Sequence, residues 1–145
     1  MKRLLLLALF ATLCIAGFAQ APRGSRRIIL QTEYTTRQAA LDALIIDVLP
    51  DLSLTPCWID YEYGLVKTED EDAKTTTARL SYFFQIREEG GRAAIEVTGK
   101  YFSYLTDKFD KRIELNGMRG SMVEKTFREM EDMALAIPHT DVFYK

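Results

Sequence analysis

Few side chains in this chain of 145 residues could do catalytic chemistry. The single histidine, His139, follows Pro138 near the last residues, and Cys57 is the one cysteine after Cys14. A Ser-His-Asp or Cys-His arrangement needs a histidine held beside a nucleophile, and a phosphate loop needs a glycine-rich stretch that is missing here. The sequence therefore predicts no catalytic residue, no cofactor and a protein that is not an enzyme.

Acidic residues cluster twice, but neither cluster has the pattern of a metal site or of a catalytic acid pair. Glu69–Asp72 is a run of consecutive carboxylates without the alternating ligands and central glycine of a calcium loop, so it predicts a solvated loop. Asp60 and Glu62 share a face of a predicted strand, and we interpret them as solvated rather than as a hydrolytic carboxylate pair. No metal site is predicted.

The chain begins with the three regions of a secretory signal peptide. Lys2 and Arg3 form a basic start, Leu4–Ala16 is an apolar run, and small residues follow up to Ala19. The apolar run is shorter than the ~20 residues of a membrane span. We predict that residues 1–19 are cleaved off, that the mature protein is extracytoplasmic (periplasmic or secreted), and that it has no membrane span.

Lipid attachment at Cys14 is the alternative to simple cleavage. Leu13 stands where a lipoprotein signal needs a small residue, so cleavage without lipidation is predicted. Cleavage removes two basic residues and no acidic one, which changes the formal net charge from −2 to −4. Since the mature chain is acidic and exported, nucleic acid is not expected as a partner. Cys57 alone cannot form an intramolecular disulfide.

A long hairpin from Ala78 to Phe102 is the element around which the other parts are expected to pack. Its first half alternates apolar and polar residues, which is typical of a half-buried strand. Gly90-Gly91 suits a two-residue turn with positive φ angles. With that turn, Phe84 lies opposite Val97, and the other apolar residues of the first strand also meet the apolar face of the second.

Two amphipathic helices are predicted, Thr36–Leu49 and Ser121–Ala136. Apolar residues recur at helical spacing in both, in the sets Leu41, Leu44, Ile45, Val48, Leu49 and Val123, Phe127, Met130, Ala134, Ile137. Ser121 with Glu124 forms a capping box at the start of the second helix. The two apolar stripes must be buried, and one face of the sheet is the surface available for both.

The first helix has its own boundary signals. Thr35 or Thr36 is expected to cap it, and Thr35 with Gln38 makes a capping box. Pro50 is expected to end the helix, because its ring cannot continue the hydrogen-bond pattern.

The remaining segments complete a single α+β domain. Three further strands are predicted: Ile28–Tyr34, Pro56–Tyr61 and Leu65–Thr68. The predicted fold is one antiparallel sheet, in the order strand, helix, four strands, helix, with both helices on one face. Residues 103–120 receive no assignment. The chain is expected to divide into signal peptide 1–19, leader 20–27, domain 28–138 and tail 139–145.

This order of elements behind a signal peptide resembles a family of secreted bacterial domains of unknown function with a TATA-binding-protein-like fold. The resemblance rests on the helix after ILQTEY, the hairpin WIDYEYGLV with Gly64 at its turn, the Gly-Gly hairpin, and a closing helix that ends MALAIP. It spans roughly Ile28 to Pro138. The resemblance implies a fold and a compartment and brings no catalytic residues, since a fold alone does not set function.

The sheet face away from the helices is predicted to be the functional surface. The candidate binding residues on it are Arg79, Phe83, Arg87, Lys100 and Phe102. Aromatic rings among basic side chains are typical of interaction surfaces, unless a loop or the segment 105–119 covers both rings. The prediction is a non-catalytic binding or structural module of the bacterial cell envelope, with an unknown protein or small ligand as its partner.

Two other functions stay open. An inhibitor or envelope-assembly factor would bind its partner through a sheet edge and would need no concave pocket. A small hydrolytic enzyme is the weaker alternative, because no arrangement of residues in the sequence supports catalysis.

Overall fold

The computed structural model describes residues 20–105 and 110–145. The predicted signal peptide, residues 1–19, lies outside the described residues. The described part has an α+β fold with one antiparallel sheet and two helices, as predicted from the sequence. No helix in these two ranges is long and apolar enough to cross a membrane.

Within the described ranges eight strands form the sheet, and neighbouring strands are antiparallel. In chain order they are β1 (Ile28–Gln31), β2 (Pro56–Asp60), β3 (Leu65–Thr68), β4 (Glu71–Asp72), β5 (Ala78–Glu89), β6 (Arg92–Ser103), β7 (Lys111–Arg112) and β8 (Asp141–Tyr144). They lie side by side in the order β2-β3-β5-β6-β1-β8, with the short β4 beside β5 and the short β7 beside β6.

Two helices cover one face of this sheet. Helix α1 begins as Arg37–Ala43, continues as a π-helical segment over Leu44–Val48 and ends with Leu49–Asp51. Helix α2 is Met122–Leu135. The two apolar stripes and the helix-facing side of the sheet form one core, whose fully buried side chains include Leu41, Leu44, Leu49, Phe127, Met130, Ile28, Leu30, Phe84 and Ile95.

The central hairpin has the predicted register over its whole length. Phe84 lies opposite Val97, and Tyr82 lies opposite Gly99. Gly90 and Gly91 form the turn, with φ angles of 62° and 78°, in the region that glycine adopts without strain. Because side chains alternate between the two faces of a strand, this register also decides which residues of the hairpin face away from the helices.

Helix α1 is capped by one of the two predicted residues, but it departs from the prediction in its capping box and at its end. Thr36 is the capping residue, since its hydroxyl accepts a hydrogen bond from the Ala39 N–H, whereas the Gln38 side chain donates to Asp42. The predicted Thr35–Gln38 capping box is therefore wrong. Pro50 does not end the helix either. The π-helical turn just before it widens the backbone, which gives the proline ring the space that a regular helix lacks.

The start of helix α2 agrees with the prediction. The Ser121 hydroxyl accepts a hydrogen bond from the Glu124 N–H, and the Glu124 carboxylate accepts one from the Gly120 N–H. The carboxylate thus reaches one residue beyond the amide that a standard capping box uses. Ile137, the last residue of the predicted apolar stripe, is buried just after the helix ends.

The last residues of the chain form a strand rather than a tail. Strand β8 pairs with β1, with Val142 opposite Leu30 and Tyr144 opposite Ile28. The predicted tail at 139–145 is wrong for a physical reason. Without β8, the backbone groups along one side of the buried strand β1 would have no partners, and Val142 and Tyr144 would not cover the core.

The predicted leader and the unassigned segment pair with each other. The Gly24 N–H donates to the Leu115 oxygen, and the Leu115 N–H donates to the Ser25 oxygen, both at 2.7 Å. Ser25, Ile113 and Leu115 are buried. The predicted boundary between leader and domain at residue 28 is therefore wrong, because the leader's backbone is part of the hydrogen-bonded structure.

The predicted acidic loop is only partly a loop. Glu71 and Asp72 form β4, opposite Leu80 and Arg79 of β5. The run of carboxylates therefore extends the sheet at its last two residues.

Candidate functional site

Residues of β2, β3, β5 and β6 form a row across the open face of the sheet. Trp58 lies opposite Lys67, Lys67 lies opposite Phe83, and Phe83 lies opposite Thr98. Directly opposed residues stand on the same face of a sheet. The row therefore brings aromatic and basic side chains together on the face away from α1 and α2.

The Phe83 ring is the centre of this row. Lys67 Nζ lies 5.6 Å and Lys100 Nζ lies 5.5 Å from the centre of the ring. A cation within about 6 Å of an aromatic face is attracted by the ring quadrupole. The half-buried ring thus holds two ammonium groups on the open face.

A groove of about 400 Å³ runs past this ring. Its lining includes Trp58, Phe83, Lys100, Arg112, Arg26 and Arg27. The lining also contains one acidic residue, Glu96, whose carboxylate lies 3.9 Å from the Arg27 guanidinium. Since Trp58 is on the edge strand β2 and Arg112 is on β7, the groove is aromatic toward one end and basic toward the other.

The five residues predicted from the sequence lie in three places. Phe83 and Lys100 line the groove. Phe102 packs edge-on against Tyr104, at 5.9 Å between ring centres, and Arg79 opposite it donates to the Asp70 backbone oxygen. Arg87 lies nearer the hairpin turn, where it donates to the Gln85 side chain at 2.6 Å.

Several residues of the row and of the groove were missed by the sequence analysis. Trp58 and Lys67 belong to the short β2–β3 hairpin, and alternation along WID and LVK could have placed both on the open face. Arg26 and Arg27 fell in the predicted leader, and Arg112 fell in the unassigned segment. No local pattern in the sequence points to these three arginines.

A second cavity, of about 510 Å³, lies on the helix side between the end of α1, β4 and α2. Burial raises the pKa of the Glu71 carboxyl and of the Tyr82 hydroxyl, and the Glu129 carboxylate adds to the effect on Tyr82. Glu129 itself accepts hydrogen bonds from the Lys74 N–H at 2.9 Å and the Thr75 N–H at 2.6 Å. Glu129 therefore ties the loop after β4 to α2. Within the described ranges, three or more His, Cys, Asp or Glu side chains nowhere form a cluster that could hold a metal ion.

The residues with catalytic potential lie apart from the groove. His139 Nδ1 is 2.6 Å from the Ile137 backbone oxygen, so this nitrogen has a partner within its own turn. Cys57 is an exposed free cysteine on the edge strand β2. Neither side chain lines the groove around Phe83.

The fold has a counterpart among solved structures. No protein-family model and no curated protein sequence matches the chain. The crystal structure of a DUF4468 family protein from Bacteroides ovatus ATCC 8483 is similar, with 13% sequence identity and a TM-score of 0.50, and the match covers 90% of this chain and 97% of that chain. At this identity the similarity concerns the fold alone. It supports the α+β architecture described above.

Proposed function

We propose that the protein is an exported, non-catalytic binding module of the bacterial cell envelope, and that it binds an anionic partner on its open sheet face. The observation that carries the proposal is the Phe83 ring between the ammonium groups of Lys67 and Lys100. Aromatic and arginine side chains are enriched among the few residues that dominate the binding energy of an interface. A solvent-accessible arrangement of this kind suits a partner that carries negative charge.

The charge distribution supports an anionic partner. The chain has a formal net charge of −2, so the basic character of the groove is a local feature and not a property of the whole surface. The groove lining contains one acidic side chain, Glu96, and four basic ones, which are Lys100, Arg112, Arg26 and Arg27. Complementary charge raises both the rate and the specificity of association.

Two further features support export and the lack of catalysis. The basic start and apolar run of residues 1–19 have the form of a signal peptide. The groove lining contains neither His139 nor Cys57, and a lone carboxylate beside arginines has no partner for acid–base chemistry.

Export is tested by N-terminal sequencing of the protein from its native host. We expect Gln20 or a close neighbour as the first residue of the exported form. An intact Met1 in exported protein would overturn this part of the proposal, and a lipid on Cys14 would replace it with membrane anchoring.

Binding is tested by capture from an envelope extract with three immobilised proteins. These are the wild type, the groove variant Lys67→Ser/Phe83→Ser, and the control variant Phe102→Ser/Tyr104→Ser, which removes two aromatic rings outside the groove. We expect the groove variant to lose a molecule that the wild type and the control retain. Mass spectrometry should recover that molecule unchanged after long incubation with the wild type.

Three outcomes would contradict the proposal. Equal capture by a folded groove variant would place the interaction elsewhere, for example on the outer edge of β8. Loss of capture in the control variant alone would move the site to Phe102 and Tyr104. Chemical conversion of the captured molecule would show that the protein is a catalyst and would support the alternative of a small hydrolytic enzyme.

A further inference from the structure

We infer that the groove binds a small organic anion with a flat apolar body, whose acid group pairs with Lys100 and Arg112 and whose body lies over Phe83 and Trp58. The inference rests on the proposed function and adds the class of ligand and its orientation. It follows from the charges, the rings and the size of the groove.

The basic end of the groove contains two like charges in direct opposition. Lys100 on β6 and Arg112 on β7 are cross-strand partners, and both side chains are exposed. Like charges directly opposite each other destabilise a sheet. An oxyanion placed between them would replace this repulsion with two charge-assisted hydrogen bonds.

The neighbouring arginines add to the same end. The backbone N–H groups of Arg26 and Arg27 donate to the Lys145 oxygen at 2.7 and 2.8 Å, so the backbone at these arginines is held in place. Glu96 lies 3.9 Å from Arg27, so the one carboxylate in the lining already has a partner there. Among the residues that the structure describes, Lys100 and Arg112 form no salt bridge, so both charges can pair with a ligand.

The aromatic end is suited to a flat apolar group. Trp58 is 50% exposed, although a large aromatic ring gains from burial. Leu65 and Phe83 also line the groove. A planar ring system would cover Trp58 and Phe83 and keep its acid group over β6 and β7.

The size of the groove favours a small molecule over a protein surface. Its volume of about 400 Å³ falls in the range of small-molecule sites, which is roughly 300–1,000 Å³. A stable protein interface needs about 800 Å² on each partner and does not require a concave site. An oxyanion of any of the common kinds, carboxylate, sulfate or phosphate, would satisfy the two cations.

The test compares two fluorescent probes with closely matched aromatic bodies. Anilinonaphthalene sulfonate carries a sulfonate, and phenylnaphthylamine lacks it. We expect the sulfonate probe to bind the wild-type protein at least about tenfold more tightly, which corresponds to charge-assisted hydrogen bonds. Salt of about 1 M should remove most of that difference by screening. Competition by naphthoate and naphthyl phosphate would then rank the acid groups.

Matched variants locate the two ends of the ligand. Lys100→Gln/Arg112→Gln should weaken the sulfonate probe about tenfold and leave the uncharged probe unchanged, whereas Trp58→Ala should weaken both. The control Arg92→Gln/Lys125→Gln removes two exposed cations elsewhere and should change neither. If the double variant is unstable, probe binding is measured with the single variant Arg112→Gln instead.

Three results would overturn the inference. In the first, the wild type fails to bind the sulfonate probe, and in the second, it binds both probes equally well. The third such result is that the variants at Lys100 and Arg112 bind the sulfonate probe as tightly as the wild type does. If envelope capture still depends on Lys67 and Phe83 in that case, the open-face function stands and the partner is a protein or another class of ligand. If capture also fails to depend on them, both proposals fail.

Discussion

Gly99 of β6 lies directly against Met130 of α2. A Cβ atom on Gly99 would come 3.1 Å from Met130 Sδ and 2.7 Å from Ile113 Cδ1. Real Cβ contacts are rarely that short, so the side-chain ends of Ile113 and Met130 occupy the space that a side chain at position 99 would need. The contact joins the centre of the hairpin to the second helix, opposite Tyr82.

Gly99→Ala should therefore destabilise the protein, by about 1–3 kcal/mol, which is typical of overpacking in a closed core. Chemical denaturation measures the loss. The side-chain ends of Ile113 and Met130 must move to admit the new methyl group. Ile113→Val removes the nearest atom, so Gly99→Ala should cost less in that background than in the wild type. Equal costs in both backgrounds would show that the contact with Ile113 is not the source of the loss.

Phe84 and its neighbour Phe83 should respond differently to truncation. Phe84 is 1% exposed, so Phe84→Ala should cost roughly 3–5 kcal/mol of unfolding free energy. Phe83 is half-buried on the open face, and Phe83→Ala should cost less than about 2 kcal/mol. Denaturant unfolding of the two variants gives the comparison. A loss below about 1 kcal/mol for Phe84→Ala would place this residue outside the core.

Removal of residues 140–145 should destabilise the whole domain. The deletion takes away the hydrogen bonds between β8 and β1 and uncovers the core beneath Val142 and Tyr144. We expect a loss of roughly 3 kcal/mol or more, measured by thermal or denaturant unfolding. Phe143→Ser is the matched control, since Phe143 is 50% exposed and its replacement should cost little. Wild-type stability of the shortened protein would mean that the segment behaves as a tail after all.

Tyr144 should make the fold sensitive to alkaline pH. Burial, and secondly a hydrogen bond with the Glu131 carboxylate, raise the pKa of Tyr144 to about 12 from its ordinary value of 10.0. The folded state therefore holds the phenol proton more tightly than the unfolded state. This contribution is fully present below pH 10 and is lost as the pH rises from 10 toward 12.

The pH prediction is checked by measuring stability across that range. Tyr144→Phe should flatten the decline without removing it, because burial also raises the pKa of Tyr82. Tyr63→Phe, on the exposed β2–β3 turn, serves as the control. A decline as steep in Tyr144→Phe as in the wild type would contradict the assignment.

Local sequence patterns determined much of the fold. The alternation along Ala78–Glu89 and the glycine pair after it predicted the hairpin and its register, because side-chain direction in a strand has a period of two. The helical spacing of apolar residues likewise predicted which sides of α1 and α2 are buried. The two departures in α1 have a local cause as well, since Thr35 and Thr36 are chemically alike and a π turn has no simple sequence signal.

Only the tertiary structure decided how distant segments combine. The hairpin pattern placed Phe83 and Lys100 on the open face, but Trp58, Lys67 and Arg112 reach them through other strands. The pairing of β8 with β1 is of the same kind, because the two strands lie at opposite ends of the described chain. Strand order depends on the packing of the complete core, and no local periodicity encodes it, so the groove could not be assembled from the sequence alone.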